Sequence, residues 1–348
     1  MNNRIKKLVE CAYEQNIDNI IITDAKNMHY YSGFYNGEGY IIAGKDGFKV
    51  VTDSRYTEYA QKACEGFEVC DITAVSPENL VSSNSVCGFE DKSVSYAQYS
   101  FFAAKLKKLT PVENMLYSFR EVKDKEEINS IRKAVAIADS AFSHICKFIK
   151  VGMTEKEVAA EIDCYMKKHG ASGNSFDTIT ASGANGSLPH AIPSDRKLSD
   201  GDLVVMDYGC VVDGYCSDMT RTVAVGKISD EKRAVYDTVL DAQLSALSKI
   251  ASGALANEVD RVARDIINKD YSGRFGHSLG HGVGLDIHEL PNLSPKNAKP
   301  LQAGNVVTVE PGIYIPGLCG VRIEDMVVVE DGGCQILTRS PKELICVG

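Results

Sequence analysis

Polar and apolar positions follow two regimes along the chain. Up to about residue 120, short apolar runs alternate with amphipathic stretches. A charged helix is predicted over 2–16 and a strand over 19–23, while strands at 40–43 and 48–52 flank Gly44-Lys45-Asp46-Gly47 and read as a β-hairpin. A helix over 53–64, strands near 67–72 and 86–89, and a helix from Ser95 to about Leu109 complete a small α/β domain. Residues 118–125 are polar, and the boundary is placed there, giving domains 1–120 and 124–348. Glu126, Ile128, Ile131, Val135, Ala138 and Phe142 then open a long helical pattern, and Thr154-Glu155-Lys156-Glu157 is a capping box for a helix that stops at Gly170. Strands and glycine-rich loops follow, interrupted by helices at about 230–252 and 257–269, so the second domain is α+β.

Composition narrows the function classes. The 348 residues carry a formal charge of −9, which gives no electrostatic grip on nucleic acid or an anionic membrane. No apolar run approaches the roughly 18 residues of a membrane span, and the N-terminus lacks the apolar core of a signal peptide. Eleven cysteines, an odd number with no C-x-x-C pair, read as reduced thiols and favour the cytoplasm.

The richest chemistry begins at Leu203. Two β-rich runs flank Asp213-Gly214, a strong signal for a two-residue hairpin loop. That loop puts Val212 opposite Tyr215 and Asp207 opposite Thr220, with Asp218 as the diagonal neighbour of Asp207 on the same face. Diagonal partners lie roughly 7–8 Å apart, close enough for both carboxylates to reach one ion. Solvated aspartates on an exposed face would be the ordinary reading. Asp is poor in strands, however, and Leu203, Val204, Val205 and Met206 look buried, where paired like charges call for a cation. Cys216 shares that face, either as a small buried filler or as a thiol near the ions.

A second acidic pair follows. Glu310 ends an apolar run before Pro311-Gly312, and Glu324 lies inside another, where an ion pair with Arg322 on the same strand face is the alternative. The loop between them is too irregular to fix a register. Between the two pairs runs Gly276-His277-Ser278-Leu279-Gly280-His281-Gly282, continuing to His288-Glu289. It is not the zincin helix, since Ser278 follows His277 and glycines break a helix. With His190, these are four of the seven histidines, set beside glycines that permit close backbone approach. Carboxylates with imidazole suit Mn²⁺, Co²⁺, Fe²⁺ or Zn²⁺. Four carboxylates balance two divalent ions, which points to a dinuclear hydrolase with a bridging hydroxide.

Ser187-Leu188-Pro189-His190, Met206-Asp207-Tyr208-Gly209, the 217–222 and 277–289 segments, Glu310-Pro311-Gly312-Ile313-Tyr314 and Val321-Arg322-Ile323-Glu324-Asp325 together resemble the creatinase/aminopeptidase P/prolidase metallopeptidases. The resemblance implies a pita-bread catalytic domain preceded by a smaller creatinase-like α/β domain. It also implies that Asp207, Asp218, His281, Glu310 and Glu324 bind two divalent ions, Mn first with Co, Zn and Fe as alternatives, with Asp218 and Glu324 bridging. Glu310 would shuttle the proton, and His288 would donate to the oxyanion. His190 and His277 match further non-ligand histidines, Arg322 would orient Glu324 or the substrate's far end, and Tyr314 would support the site. The implied substrates are short peptides with proline at the second position, and a homodimer is expected.

Within that family, several dipeptidases hold the dipeptide carboxylate with an arginine shortly after the His-Glu motif. Asn292 stands in that place here, which favours an Xaa-Pro aminopeptidase over an Xaa-Pro dipeptidase. A metal-free interaction module on the same fold is the non-enzyme alternative, and it would have broken ligand positions.

Overall fold

The structure is a computed structural model and describes residues 3–348. The chain divides into compact units Met1–Arg120 and Glu121–Gly348. In the first, six strands are ordered Glu68–Asp71, Gly47–Thr52, Tyr40–Gly44, Asn19–Ile22, Val86–Phe89, Lys108–Pro111. The two central strands, Asn19–Ile22 and Tyr40–Gly44, are buried at every residue, as strands covered on both faces should be. The hairpin closes Gly44 onto Gly47 around Lys45-Asp46.

Local structure departs from the sequence reading at four places here, for identifiable reasons. Residues 108–111 form an edge strand and not the end of a helix, because Leu106 turns into the core after Ala103. Ala25–Ser32 is a helix too short to show clear periodicity, fixed by the Asp24 N-cap and by Gly33 in the left-handed conformation. Glu113–Glu121 is helical although part of it reads as polar linker, and Arg120, buried, donates to Asn27 Oδ1 at 2.9 Å. The helix expected over 53–64 shortens to Thr57–Ala63, because Asp53 accepts from the Arg55 backbone N–H and opens a turn.

The second unit contains two helix-backed sheets. Cys346–Val347, Met219–Val225, Leu203–Tyr208 and Ile179–Ser182 form one, in that order. Ala134, Ala138, Phe142 and Ile145 of the Lys125–Phe148 helix pack on its Val204, Met206 and Val223, together with Val158 and Ile162 of Glu155–Lys168. The other sheet runs Glu289–Leu293, Gly280–Gly282, Val306–Val309, Asp325–Glu330, Gly333–Ile336. Helices Asp230–Leu247 and Ala256–Asp270 cover it through Val235, Val239, Val259 and Ala263. The capping box at Thr154 forms in both directions. Among the described residues no helix is long and apolar enough to cross a membrane.

The hairpin register is the expected one: Val212 faces Tyr215, Asp207 faces Thr220, and Asp213 and Gly214 both have positive φ. Pairing is interrupted at Gly209 and Ser217, where Ser175 and Ser217 side chains fill the backbone gaps. A Cβ on Gly209 would lie 1.8 Å from the Ser217 carbonyl oxygen. Gly209→Ala is therefore expected to destabilise the protein by about 2–3 kcal/mol, read as a lower urea midpoint with an unchanged m-value.

Candidate metal centre

Each acidic side chain is placed by a strand end. Asp207 lies near the end of Leu203–Tyr208, and Asp218 sits in the break before Met219–Val225, its N–H donating to Met326 Sδ at 3.1 Å. Glu310 follows Val306–Val309, its N–H donating to the Leu279 carbonyl at 2.8 Å. The ribbon of Gly312–Ile315 and Cys319–Arg322 pairs Gly312 with Arg322, so Glu310 and Glu324 leave its two strands at one end. Glu324 donates its N–H to the Thr220 carbonyl at 3.1 Å, joining the two sheets at the site. His281 lies between glycines that allow this approach: a Cβ on Gly280 would meet the Thr308 carbonyl at 2.0 Å, and one on Gly282 the Leu290 carbonyl at 2.4 Å.

These side chains converge on a cavity of about 690 Å³. One ligand atom from each of Asp218, His281 and Glu324 lies within 4.8 Å of the others. His281 Nε2 is 3.6 Å from Asp218 Oδ2 and 3.4 Å from Glu310 Oε1. Its Nδ1 faces the Gly282 carbonyl at 3.0 Å, and since a carbonyl only accepts, that nitrogen carries the hydrogen and Nε2 presents a lone pair to the carboxylates.

Electrostatics show what the cluster lacks. Burial, reinforced by Glu324, Asp207 and Glu310, pushes the Asp218 carboxyl well above its ordinary range. Burial, then Glu310 and Asp207, does the same to Glu324. Glu310 rises to about 8, through burial first and Asp207 second, against the opposing pull of Arg322. Burial lowers His281 and His277 to about 4, so neither imidazole supplies positive charge at neutral pH. One oxygen of Asp207, Oδ1, is buried with no hydrogen-bond partner. Clustered carboxylates, an orphaned carboxylate oxygen and a neutral imidazole lone pair fit divalent cations.

Asp207 itself is turned differently from its neighbours. Its Oδ2 accepts from Arg322 Nη2 at 2.5 Å. The Arg322–Glu324 ion pair weighed from the sequence is not made, because the guanidinium reaches across the sheet to Asp207 and is fixed there by Thr220 Oγ1, Tyr314 Oη and the Pro189 carbonyl. Glu324 instead accepts from Thr220 Oγ1 at 2.7 Å.

The remaining expected residues line the same cavity. His277 gives Nδ1–H to the Ser278 carbonyl at 2.8 Å, so its Nε2 accepts from Tyr314 Oη at 2.9 Å, and that oxygen accepts from Arg322 Nη1 at 2.8 Å. His288 and His190 are exposed on the wall, the His288 ring centred 4.4 Å from that of His281. Asn292 also lines the cavity. Cys216 does not: its thiol faces the Leu285 carbonyl at 3.7 Å, because the break at Ser217 ends the alternation that would have put it beside Asp218.

Sequence reasoning passed over the hydroxyls that hold the carboxylates. Thr308 Oγ1 donates to Glu310 Oε1 at 3.1 Å and accepts from the His281 N–H at 3.0 Å, much as Thr220 serves Glu324 and Arg322. The position of Thr220 opposite Asp207 was the available signal. Also missed were Asp260 and Arg264, a bidentate pair at 2.8 and 2.9 Å on one helix. Arg264 donates to the Phe275 and His277 carbonyls, and Asp260 accepts from the Leu279 N–H, clamping the turn that carries His277.

The pKa directions predict how the metal-free protein responds to pH. A raised carboxyl pKa means that the folded state holds more protons than the unfolded one, so stability falls as pH rises from the ordinary carboxylate range to the raised value. The three lowered histidines, His277, His281 and His288, act oppositely, but only below about pH 6.5, above which they are neutral in both states. From pH 6.5 to 8 the carboxylates act alone, each lowering stability by up to about 1.4 kcal/mol per pH unit. Urea denaturation of metal-stripped protein should show that decline over this window, and Asp218→Asn should flatten it and raise metal-free stability at pH 8.

Comparison with known proteins finds relatives over nearly the full chain. Residues 129–331 match the model for metallopeptidase family M24, and residues 4–122 that for the creatinase/prolidase N-terminal domain. An Xaa-Pro dipeptidase of Pyrococcus furiosus is 39% identical, over 99% of this chain and 100% of its own. Among solved structures, an Xaa-Pro dipeptidase from Bacillus anthracis superposes with a TM-score of 0.95 at 39% identity, covering 99% of both chains. An X-Pro aminopeptidase from Thermotoga maritima does so with 0.91 at 36%, covering 99% of this chain and 100% of that one. These matches bear out the expected architecture, a pita-bread catalytic domain behind a creatinase-like one, and the chain belongs to metallopeptidase family M24.

Proposed function

We propose that the protein is an Xaa-Pro aminopeptidase, a metal-dependent exopeptidase that removes the residue preceding a proline. Membership of the M24 metallopeptidases implies divalent metal ions, and relatives named for Xaa-Pro cleavage support the proline-directed substrate class. Asp207, Asp218, His281, Glu310 and Glu324 would hold two such ions, Mn²⁺ first, with Co²⁺, Zn²⁺ and Fe²⁺ as alternatives. When bound there, the ions supply Lewis acidity at the scissile carbonyl and lower the pKa of water.

The chain's own groups do the rest. Thr308 engages Glu310 Oε1, leaving Oε2 to take the proton of the attacking water and pass it to the leaving nitrogen. That transfer matters for this substrate, because a proline nitrogen carries no N–H in the peptide and must be protonated to depart. His288, its pKa lowered by partial desolvation of the ring against the wall, is a neutral donor for the developing oxyanion. The Arg322–Tyr314–His277 chain fixes the His277 ring and keeps Asp207 oriented.

One observation carries the choice of aminopeptidase. Asn292 stands on the cavity wall, and Arg322, the only Arg or Lys among the described lining residues, is already engaged by Asp207. A dipeptide's carboxylate therefore meets no uncommitted cation in the main cavity. The second reading, an Xaa-Pro dipeptidase, has its own support in the names of the P. furiosus and B. anthracis relatives. An adjoining cavity of about 320 Å³, which shares His277 and Ser278, also carries Lys296.

Metal-loaded protein assayed on Xaa-Pro and Xaa-Pro-Yaa peptides is expected to favour the tripeptides in kcat/KM. Asn292→Arg should shift that ratio toward dipeptides about 10-fold, the size of one added charged hydrogen bond. A native preference for dipeptides would establish the second reading.

A further inference from the structure

The cavity wall beside the metal centre carries one carboxylate that the reaction does not use. Ile179 is the cross-strand partner of Asp207, so it sits beside the carboxylates, and Asp177 precedes it by two residues. Asp177, Thr178 and Ile179 all line the cavity; Thr178 is buried, its hydroxyl donating to Asp163 Oδ1 at 2.5 Å. Asp177 lies on the wall just before the Ile179–Ser182 strand begins. It is exposed and makes no hydrogen bond or ion pair among the described residues. Phe176, Ile179 and Ile192 supply apolar surface on the same lining.

Apolar surface near the scissile position with an unpaired carboxylate beyond it matches an alkyl stem tipped with a cation. Charge also decides which end of the substrate this wall takes. The proline end of a peptide leads toward an anionic C-terminus, which Asp177 repels, while the adjoining cavity at His277 and Ser278 carries Lys296. We propose that Asp177 is a specificity-determining residue that selects peptides whose first residue is lysine or arginine, the stem lying on Phe176 and Ile179 and the cationic head at the Asp177 carboxylate. This rests on the Xaa-Pro reading of the site and specifies its substrate class.

The test compares Lys-Pro-Yaa with norleucine-Pro-Yaa, which share the stem and differ in the charge, on metal-loaded protein. The kcat/KM ratio is expected to favour lysine, to fall 3–10-fold in Asp177→Asn, and to shrink with added salt in the wild type only. Asp177→Lys should invert the selection toward Glu-Pro-Yaa. A ratio that the Asp177 substitutions leave unchanged while the peptides are cleaved overturns this inference and leaves the Xaa-Pro reading standing. Failure to cleave any proline peptide, while peptides without proline are cleaved, overturns both.

Discussion

Mutual repulsion among Asp218, Glu310 and Glu324 is the constraint around which the catalytic unit is built. Three carboxyls share one pocket with a single guanidinium, and that guanidinium pairs with a fourth, Asp207. Left to themselves such groups take up protons or move apart. Here they cannot separate, since each backbone is anchored to a different segment: Glu310 N–H to the Leu279 carbonyl, Glu324 N–H to the Thr220 carbonyl, Asp218 N–H to Met326 Sδ. The fold thus holds together groups that favour separation, and a divalent ion relieves the resulting strain in proportion to the charge it brings.

Much of the surrounding structure maintains that arrangement. Gly280 and Gly282 let the His281 strand lie against its neighbours without side chains, and Gly209 does the same between Asp207 and Asp218. The Asp260–Arg264 pair fixes three backbone groups of the turn carrying His277, and the carbonyl of Leu279 in that turn receives Glu310. Arg221, buried, joins the Thr220 and Glu324 carbonyls to Asp325 and to the Ser340 and Pro341 carbonyls of the C-terminal segment. Partly satisfied, such a network would cost more than an apolar core; satisfied at each of these groups, it confers rigidity.

The half of the site built on a hairpin was legible in the sequence. Asp213-Gly214 demands a two-residue loop, and counting outward from it pairs Asp207 with Thr220. The Glu310–Glu324 half was not legible in the same way, because the Pro316-Gly317 turn closes a three-residue loop, Ile315 facing Cys319, whose register the two-residue rule does not give. Arg322 illustrates the consequence. On sequence spacing it belongs to Glu324, but only the three-dimensional approach of two sheets shows that Asp207 is nearer. Cys216 fails for a related reason, since strand alternation holds only while the ladder is continuous and here it stops at Ser217. In the first unit, the Ala25–Ser32 helix is fixed by an N-cap and a left-handed glycine, signals too local for periodicity over a longer window to register.

The most direct test of this account is calorimetric titration of Mn²⁺ into metal-stripped protein at pH 7.5, in two buffers of different ionisation enthalpy. Carboxyls that hold protons because they are buried together and repel one another must release them when cations enter. The prediction is two ions per chain, with at least about one proton released, and a release that diminishes in Asp218→Asn. Binding without proton release, or release that Asp218→Asn leaves unchanged, would contradict the claim that carboxylate repulsion organises the site.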